Sequence, residues 1–345
     1  MEKRVSQHLL LLLAKAGSEC SSDRNTALPT LRQASALLWQ LNPEAPPIRP
    51  LELEKKLSVP IEAWLPESVR GDYEGPLLSS HLVTQTCSEM LFEMDIGELE
   101  EETQAAVRRV RDSCRLRKGG QQLYRNFRLF LIQHAVVKPA DAQGVLVPLG
   151  LAMTDLYRSI PPHLIQNDHV FLCPSCGWPM DVGREEVHCD SSWCRHGKSA
   201  FLRQGSRLVS RHDGSPLDPT LAQGLWMLQG ALWKFTLLPG RLEIALAEAL
   251  TNKGLAVELW PDFDRVDLRV TLGNQAFEID AKVWRSTHAL ALRIEALRPT
   301  SPLWIVIPDY QKEHVKFLRS ACPSGVDVFS QSQCVRELMK HADPF

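Results

Sequence analysis

The sequence predicts a multidomain protein with three parts. A helical N-terminal region, residues 1–165, precedes a four-cysteine zinc ribbon, residues 166–205, and a C-terminal α/β/α domain, residues 206–345. Three observations carry this prediction. Apolar residues recur at three- and four-residue spacing in the first part, four cysteines lie between positions 173 and 194, and helix and strand patterns alternate in the last part.

Length and composition allow several domains and exclude global disorder. The chain has 345 residues, of which 44% are hydrophobic and 23% are charged, as in a globular protein with more than one core. The net charge of -2 gives no whole-chain signature of nucleic-acid binding. A protein of this composition that acts on nucleic acid needs local basic patches and metal ions to offset phosphate repulsion.

Five consecutive leucines at positions 9–13 raise the question of a membrane or targeting segment. The run is far shorter than a membrane span of roughly 20 residues, and shorter than the apolar part of a secretory signal, about 7–15 residues. An amphipathic helix at the start of the first domain fits it better. Nine cysteines, an odd number, indicate a reducing compartment, so we expect a cytoplasmic protein without membrane contact.

The N-terminal region is predicted to contain helices at 35–41, 81–94 and 98–117, separated by proline-rich breaks. An acidic stretch, 89–102, precedes a basic one that could hold a nucleic-acid backbone. The alternative, a solvated helix pair whose opposite charges attract, is favoured. The basic residues are Arg108, Arg109, Arg111, Arg115, Arg117, Lys118, Arg125 and Arg128.

Four cysteines form two pairs, Cys173-Pro-Ser-Cys176 and Cys189-Asp-Ser-Ser-Trp-Cys194. Two such pairs can surround one tetrahedral Zn²⁺, with His188 and His196 as substitute ligands. Because four thiolates leave no position for water, a structural role is favoured over a catalytic one. A ribbon this small is expected to have almost no apolar core, so that metal binding would supply much of its folding free energy.

The C-terminal domain is predicted from alternating helix and strand patterns. We expect helices at 242–250, 289–297 and 311–319, and strands at 255–259, 266–270, 276–283, 303–307 and 326–329. The strands at 266–270 and 276–283 are predicted to form a hairpin with its turn at 273–274.

This hairpin carries the candidate active site. In the segment 277–283, Glu278, Asp280 and Lys282 share the face opposite the apolar residues. Asp267 lies on the corresponding face of the preceding strand, where pairing brings it beside Asp280. Two carboxylates and an ammonium on otherwise buried strands are unfavourable unless they bind something.

Phosphodiester hydrolysis requires such a set of groups. Asp267 and Asp280 would hold Mg²⁺ or Mn²⁺, and Lys282 would position the attacking water and offset developing charge. An edge hairpin with one solvated face and a cross-strand ion pair is the alternative. The order of the groups favours the site, because a helix precedes Asp267 and a crossover helix with a buried strand follows Asp280-Ala281-Lys282.

These residues resemble the signature of the PD-(D/E)xK restriction-endonuclease superfamily, an Asp followed at a distance by (Asp/Glu)-x-Lys. The resemblance covers roughly residues 236–330 and implies a restriction-endonuclease-like fold and a metal-dependent DNA endonuclease. Many members add a glutamate on the helix before the first strand, and Glu243, at the margin of an apolar stripe, matches it best. Glu278 would support the metal shell or orient Lys282.

The order of the three parts resembles the restriction-endonuclease-like protein associated with prokaryotic PIWI-RE systems. This resemblance implies a PIWI protein and a helicase as partners, a role in defence against foreign DNA, and DNA or an RNA–DNA hybrid as the nucleic acid. A homodimer fits cleavage of both strands. The main alternative is a catalytically inactive, zinc-stabilised nucleic-acid-binding or scaffolding subunit. A single-domain junction resolvase is disfavoured because such an enzyme does not need the long N-terminal region.

Overall fold

The computed structural model describes residues 2–23, 25–71, 73–79, 82–94, 98–182, 186–189, 191–197, 199–205 and 207–342. The chain divides into two compact units. The first comprises Met1–Glu101 and Trp284–Ile294, and the second comprises Glu102–Val283 and Glu295–Phe345. The three predicted domains stay a prediction. Ser206, at the start of the last one, and residues 343–345, at its end, lie outside the described residues.

Fifteen helical segments are seen in the described part of the chain. In chain order they are α1 (Glu2–Ser22), α2 (Ala27–Leu41), α3 (Pro50–Lys56), α4 (Glu67–Arg70), α5 (Gln85–Met94), α6 (Glu98–Arg115), α7 (Gly120–Gln133), α8 (Pro139–Leu146), α9 (Ser192–His196), α10 (Gly230–Leu232), α11 (Leu238–Thr251), α12 (Pro261–Asp264), α13 (Thr287–Glu295), α14 (Val315–Arg319) and α15 (Gln331–Ala342). A π-helical turn, Trp233–Leu237, precedes α11, and short 3₁₀ turns include Asp309–His314 before α14.

The strands are short outside the C-terminal part. They are β1 (Leu78–Ser79), β2 (Leu82–Val83), β3 (Val136–Val137), β4 (Tyr157–Ser159), β5 (His169–Val170), β6 (Glu186–His188), β7 (Ala200–Gln204), β8 (Arg207–Ser210), β9 (Pro216–Leu217), β10 (Thr220–Leu221), β11 (Trp226–Leu228), β12 (Ala256–Leu259), β13 (Leu268–Leu272), β14 (Gln275–Ala281), β15 (Leu303–Ile307) and β16 (Val326–Ser330).

The first unit has an apolar core built from α1 to α5. Four of the five leucines at 9–13 are buried in α1, and they pack with residues such as Leu31, Leu53 and Leu57. The leucine run is therefore a core-facing helix segment. Within the described residues, no helix combines the length and the apolar composition that crossing a membrane requires.

The segment Trp284–Ile294 packs in this first unit through a buried ion pair. Arg285 Nη1 lies 3.0 Å from Oε2 of Glu89 on α5, and both side chains are buried. The Arg285 guanidinium also lies over the ring of Tyr73, 5.7 Å from its centroid. Arg285, three residues after Lys282 in the chain, thus packs with residues of the N-terminal part.

The second unit contains a five-stranded mixed sheet with the order β12-β13-β14-β15-β16. The first three strands are antiparallel, whereas β14, β15 and β16 run parallel. Helices α11 and α15 contact this sheet and each other. Their shared core includes Leu246, Leu250, Leu268, Ile279 and Leu338. The parallel pairing requires a long connection between β14 and β15, which α13 occupies.

The cysteine-containing segment is larger than a small ribbon. It includes a four-stranded antiparallel sheet, β6-β7-β8-β9. Its four cysteines belong to a large apolar core that also contains Phe127 and Leu131 of α7, and Trp178 stacks on Trp233 with ring centroids 4.6 Å apart. The expectation that this segment has almost no apolar core is therefore wrong, because helices from elsewhere in the unit cover it.

Helix α7 packs closely against α11 in the same unit. Gly240 of α11 leaves so little space that an added Cβ would lie 2.3 Å from Cδ1 of Ile132 on α7. Ile132 is itself buried. The absence of a side chain at position 240 therefore allows the two helices to approach.

The predicted elements of the C-terminal part agree with the observed ones to within a few residues. The hairpin turn lies at Gly273, whose φ of +55° is in the left-handed region that favours glycine. The presence of helices and mixed sheets is confirmed. The three-layer arrangement and the order of the domains stay predictions. In the N-terminal region, residues 82–83 form a short strand where a helix over 81–94 was predicted, and position 81 lies outside the described residues.

Candidate active site

The antiparallel pairing of β13 and β14 brings two predicted carboxylates together. Leu268 pairs with Ile279, so Asp267, one residue earlier, lies beside Asp280. Oδ2 of Asp267 accepts a hydrogen bond of 2.7 Å from the backbone N–H of Ala281. The backbone carbonyl of Asp267 accepts another, of 2.8 Å, from the N–H of Trp260. Hydrogen bonds thus hold both the side chain and the backbone of Asp267 in place.

Lys282 completes the set. Its Nζ lies 3.0 Å from Oδ2 of Asp280 and 3.9 Å from Oδ2 of Asp267. The side chains of Asp267, Asp280 and Lys282 are 14%, 21% and 28% exposed, so solvent can reach all three. The structure therefore brings together the three residues that the sequence pattern singled out.

The electrostatics of this cluster favour binding of a cation. Burial raises the pKa of Asp267 well above its ordinary value, and the negative charges of Glu243 and Asp280 add to the effect. Burial disfavours the charged form of Lys282, but the carboxylates of Asp280 and Asp267 outweigh it and raise the pKa of Lys282. Lys282 therefore stays protonated. A further positive charge would relieve the repulsion between the carboxylates.

Glu243, the fourth candidate, lies near this cluster but has other direct partners. It is 1% exposed on α11. Nη2 of Arg128 donates to Oε2 at 3.2 Å and lies 3.4 Å from Oε1, and the indole N–H of Trp260 donates to Oε2. Burial raises the pKa of Glu243, and the positive charge of Arg128 opposes that effect. Both carboxylate oxygens are thus occupied by donors from the protein.

Glu278, the fifth candidate, belongs to a separate ion-pair network. Its carboxylate forms a bidentate pair with the guanidinium of Arg265, accepts a 2.6 Å hydrogen bond from Ser301 Oγ, and lies 3.8 Å from Arg269 Nη2. The hydrogen bond from Arg265 is the main cause that lowers its pKa. The structure places Glu278 on the strand of Asp280 but joins it to arginines rather than to Lys282.

A strained turn beside the cluster was not apparent from the sequence. Trp260, Asp262, Phe263 and Asp264 have φ values of +48°, +53°, +58° and +67°, a conformation that side-chain-bearing residues seldom adopt. Each such residue costs roughly 1–3 kcal/mol and persists only where the surroundings enforce it. Asp264, in this turn, interacts electrostatically with both Glu243 and Asp267.

Helix α7 enforces this turn. The side-chain amide of Gln121 donates to the carbonyl of Trp260 at 2.7 Å and accepts from the N–H of Phe263 at 2.8 Å. The hydroxyl of Tyr124 donates to Asp264 Oδ2 at 2.8 Å, and Nε of Arg128 lies 3.5 Å from the same oxygen.

These contacts correct the prediction for Arg128, which was counted with a solvated helix pair but is buried beside the site. The spacing of 121, 124 and 128 on one helical face was the available signal. It did not identify the partners, which lie more than a hundred residues away in the chain.

The four cysteines of the predicted zinc ribbon meet at one point. Their sulfur atoms all lie within 4.8 Å of one another, and all four residues are buried. Sγ of Cys176 lies 3.7 Å from Sγ of Cys189. Zinc–sulfur bonds of about 2.3 Å in a tetrahedron separate neighbouring sulfurs by about 3.8 Å. The donor set and its spacing therefore fit a zinc ion, and a buried four-cysteine cluster compatible with zinc is confirmed.

Burial raises the pKa of the Cys176 and Cys189 thiols well above the ordinary value. Hydrogen bonds from the other three thiols instead lower the pKa of Cys173. A zinc ion would stabilise all four cysteines as thiolates, since metal binding requires the deprotonated form.

Two carboxylates and a lysine lie together at the ends of adjacent strands of the mixed sheet. Residues 240–344 match the model of the family described as REase associating with pPIWI_RE. For this part of the chain, the resemblance predicted from the sequence is confirmed. The match includes all five candidate residues of the site and leaves residues 1–239 outside it. No curated protein and no solved structure matches the chain.

Proposed function

We propose that the protein is a metal-dependent DNA endonuclease whose active site consists of Asp267, Asp280 and Lys282. The observation that carries this proposal is the position of Lys282 Nζ between two carboxylates, one on each strand of the hairpin. The family match supports a nuclease-like role for the segment that contains these residues.

Asp267 and Asp280 offer hard oxygen donors, which Mg²⁺ and Mn²⁺ prefer. When bound, such an ion polarises the phosphodiester and lowers the pKa of a coordinated water. The backbone N–H of Ala281 holds one oxygen of Asp267 and thereby orients the other. Asp280 orients Lys282, whose ammonium can hold the attacking water and offset charge that develops on the phosphate.

The family name supports one partner. We propose that the protein acts beside a pPIWI_RE protein. We further propose a helicase as a second partner and a role in defence against foreign DNA, as the resemblance in the order of the three parts implies. We also propose structural zinc at Cys173, Cys176, Cys189 and Cys194. An odd number of cysteines, four of them in one proposed zinc site, fits a reducing compartment, so we propose a cytoplasmic location.

A plasmid-cleavage assay with Mg²⁺ or Mn²⁺ tests the proposal. Asp280→Asn and Lys282→Met should each lower the cleavage rate by about 100-fold or more, the usual effect of removing one group that stabilises transition-state charge. Glu278→Gln is the matched control on the same strand and should retain most activity, because its partners are arginines.

Equal residual nicking by the wild type and both site variants would refute the assigned site. No cleavage by the wild type, alone or with its PIWI partner, would favour the alternative of an inactive zinc-stabilised binding or scaffolding subunit. Static light scattering of the same samples measures whether the active species is a homodimer.

A further inference from the structure

One face of α7 contacts the Trp260–Asp264 turn and Glu243 next to the site. It carries Gln121, Tyr124 and Arg128. These three residues lie on one side of the helix. Each contacts the Trp260–Asp264 turn, and Arg128 also contacts Glu243. Arg128 is buried, and its guanidinium lies 5.4 Å from the ring centroid of Trp260.

A continuous chain of contacts leads from Arg128 to Asp267. Arg128 holds the carboxylate of Glu243, and the indole N–H of Trp260 donates to the same carboxylate. The backbone N–H of Trp260 then donates to the carbonyl of Asp267 at 2.8 Å. The left-handed conformation at Trp260 directs its side chain to Glu243 while its N–H points to Asp267. A shift of Glu243 would therefore move the backbone of Asp267.

The charges of the cluster are consistent with a supporting role for Arg128. Glu243, Asp264, Asp267 and Asp280 lie around two cations, Arg128 and Lys282. When all four carboxylates are ionised, two negative charges remain uncompensated, which matches one divalent ion. Arg128 pairs with the carboxylates of Glu243 and Asp264. Asp267 and Asp280 then remain as the carboxylates that could bind the metal.

We propose that Arg128 is a positioning residue of the nuclease site, which holds Asp267 in place through Glu243 and Trp260, and that Glu243 is the partner of Arg128 and not a metal ligand. This inference rests on the proposed function. It extends the functional unit back to α7, well before the segment that matches the family model.

The test is the Mn²⁺ affinity of the full-length protein, measured by isothermal titration calorimetry. Arg128→Met alone leaves the buried Glu243 unpaired and can fail to fold, so the informative variants are Glu243→Gln and the double variant Arg128→Met/Glu243→Gln. Glutamine keeps an oxygen for both donors, and Glu243→Gln should change the Kd for Mn²⁺ by no more than about threefold. The double variant should bind Mn²⁺ about 10- to 100-fold more weakly, as happens when a residue that supports a metal ligand is lost.

Net charge alone predicts the opposite order. Glu243→Gln removes one negative charge from the cluster, whereas the double variant has the same net charge as the wild type. If charge decided affinity, the double variant would bind as the wild type does and Glu243→Gln would bind more weakly. Gln121→Met provides a second variant without any charge change, and it should also weaken Mn²⁺ binding about tenfold because it releases the turn. Thermal unfolding confirms that each variant is folded.

Two outcomes would overturn the inference. Glu243→Gln that weakens Mn²⁺ binding as much as Asp280→Asn, with the same loss in the double variant, would make Glu243 a ligand. Wild-type affinity in both the double variant and Gln121→Met would remove the positioning role. Either result leaves the proposed function intact, whereas failure of the wild type to bind Mn²⁺ would contradict the proposed function itself.

Discussion

Gly240 offers a sharp test of the close approach between α7 and α11. In Gly240→Ala, the new Cβ would lie 2.3 Å from Cδ1 and 2.4 Å from Cγ1 of Ile132, far inside the usual carbon–carbon contact of about 3.5–4.0 Å. Ile132 is 1% exposed, so a move of its side chain displaces other packed groups. Overpacking of this kind costs about 1–3 kcal/mol. Replacing glycine by alanine in a helix itself stabilises by about 0.5–1 kcal/mol, which leaves a net loss of up to about 2.5 kcal/mol.

Gly144→Ala is the matched control, because Gly144 also lies in a helix and an added Cβ there meets nothing within 4 Å. It should stabilise the protein by about 0.5–1 kcal/mol. Thermal unfolding followed by circular dichroism measures both. Since 1 kcal/mol shifts the midpoint by about 2–4 °C in a domain of this size, Gly240→Ala should lower it by several degrees while Gly144→Ala raises it.

Ile132→Ala supplies the second half of the test. Alone it removes a buried side chain and should cost about 2–5 kcal/mol. Combined with Gly240→Ala it makes room for the new methyl group, so the double variant should lose less than the sum of the two single losses. Strict additivity, or a Gly240→Ala protein as stable as Gly144→Ala, would refute the close packing of α7 on α11.

The remaining predictions concern the two buried ion pairs and the zinc cluster. Cys173→Ser or Cys194→Ser should abolish stoichiometric zinc, measured by atomic emission on the purified protein; unchanged zinc content would refute the cluster as a metal site. A chain of residues 206–345 lacks Arg128, so Glu243 loses its buried partner, which costs about 3–5 kcal/mol. This fragment should show no cooperative thermal transition, and a sharp one would contradict the dependence on α7. Arg285→Met removes the guanidinium that pairs with the buried Glu89 and should lower the stability of the first unit by about 3–5 kcal/mol, which Arg285→Met/Glu89→Gln should largely restore. An unchanged unfolding midpoint in the single variant would show that the pair is unimportant.

The pairing of β13 with β14 could be predicted because strand alternation fixes which residues share a face. That alternation and one glycine-containing turn predicted that Asp267, Asp280 and Lys282 lie together, and the order of the groups along the chain favoured a site over a solvated ion pair. These contacts are local in sequence, because the first and the last residue, Asp267 and Lys282, are fifteen positions apart. In a stretch this short, the strand periodicity and the turn together determine which side chains lie next to each other.

The same alternation did not specify the partners of Glu278 and Glu243. It placed Glu278 on the face of Asp280, but two arginines nearby compete for it more effectively than Lys282 does. For Glu243, the helical stripe gave a position at the margin of the core. Its partner, Arg128, comes from a helix more than a hundred residues earlier, and no local pattern reports such a contact.

The left-handed turn at Trp260–Asp264 was also beyond the sequence pattern. Non-glycine residues with positive φ are rare, so the residue types at these positions do not predict the left-handed conformation. The turn is held by tertiary contacts with Gln121 and Tyr124. Likewise, the cysteine spacing predicted the cluster of sulfurs, but not the apolar core around it, which is assembled from α7 and other distant elements.

Anomalous diffraction from a crystal soaked in Mn²⁺ locates the metal at the proposed active site. We expect a manganese peak within about 2.0–2.6 Å of carboxylate oxygens of both Asp267 and Asp280. Data at the zinc edge should show a second, separate peak among the four cysteine sulfurs, which serves as an internal reference. A zinc peak at the cysteines together with no manganese peak between Asp267 and Asp280 would contradict the assignment of this hairpin as a metal-dependent nuclease site.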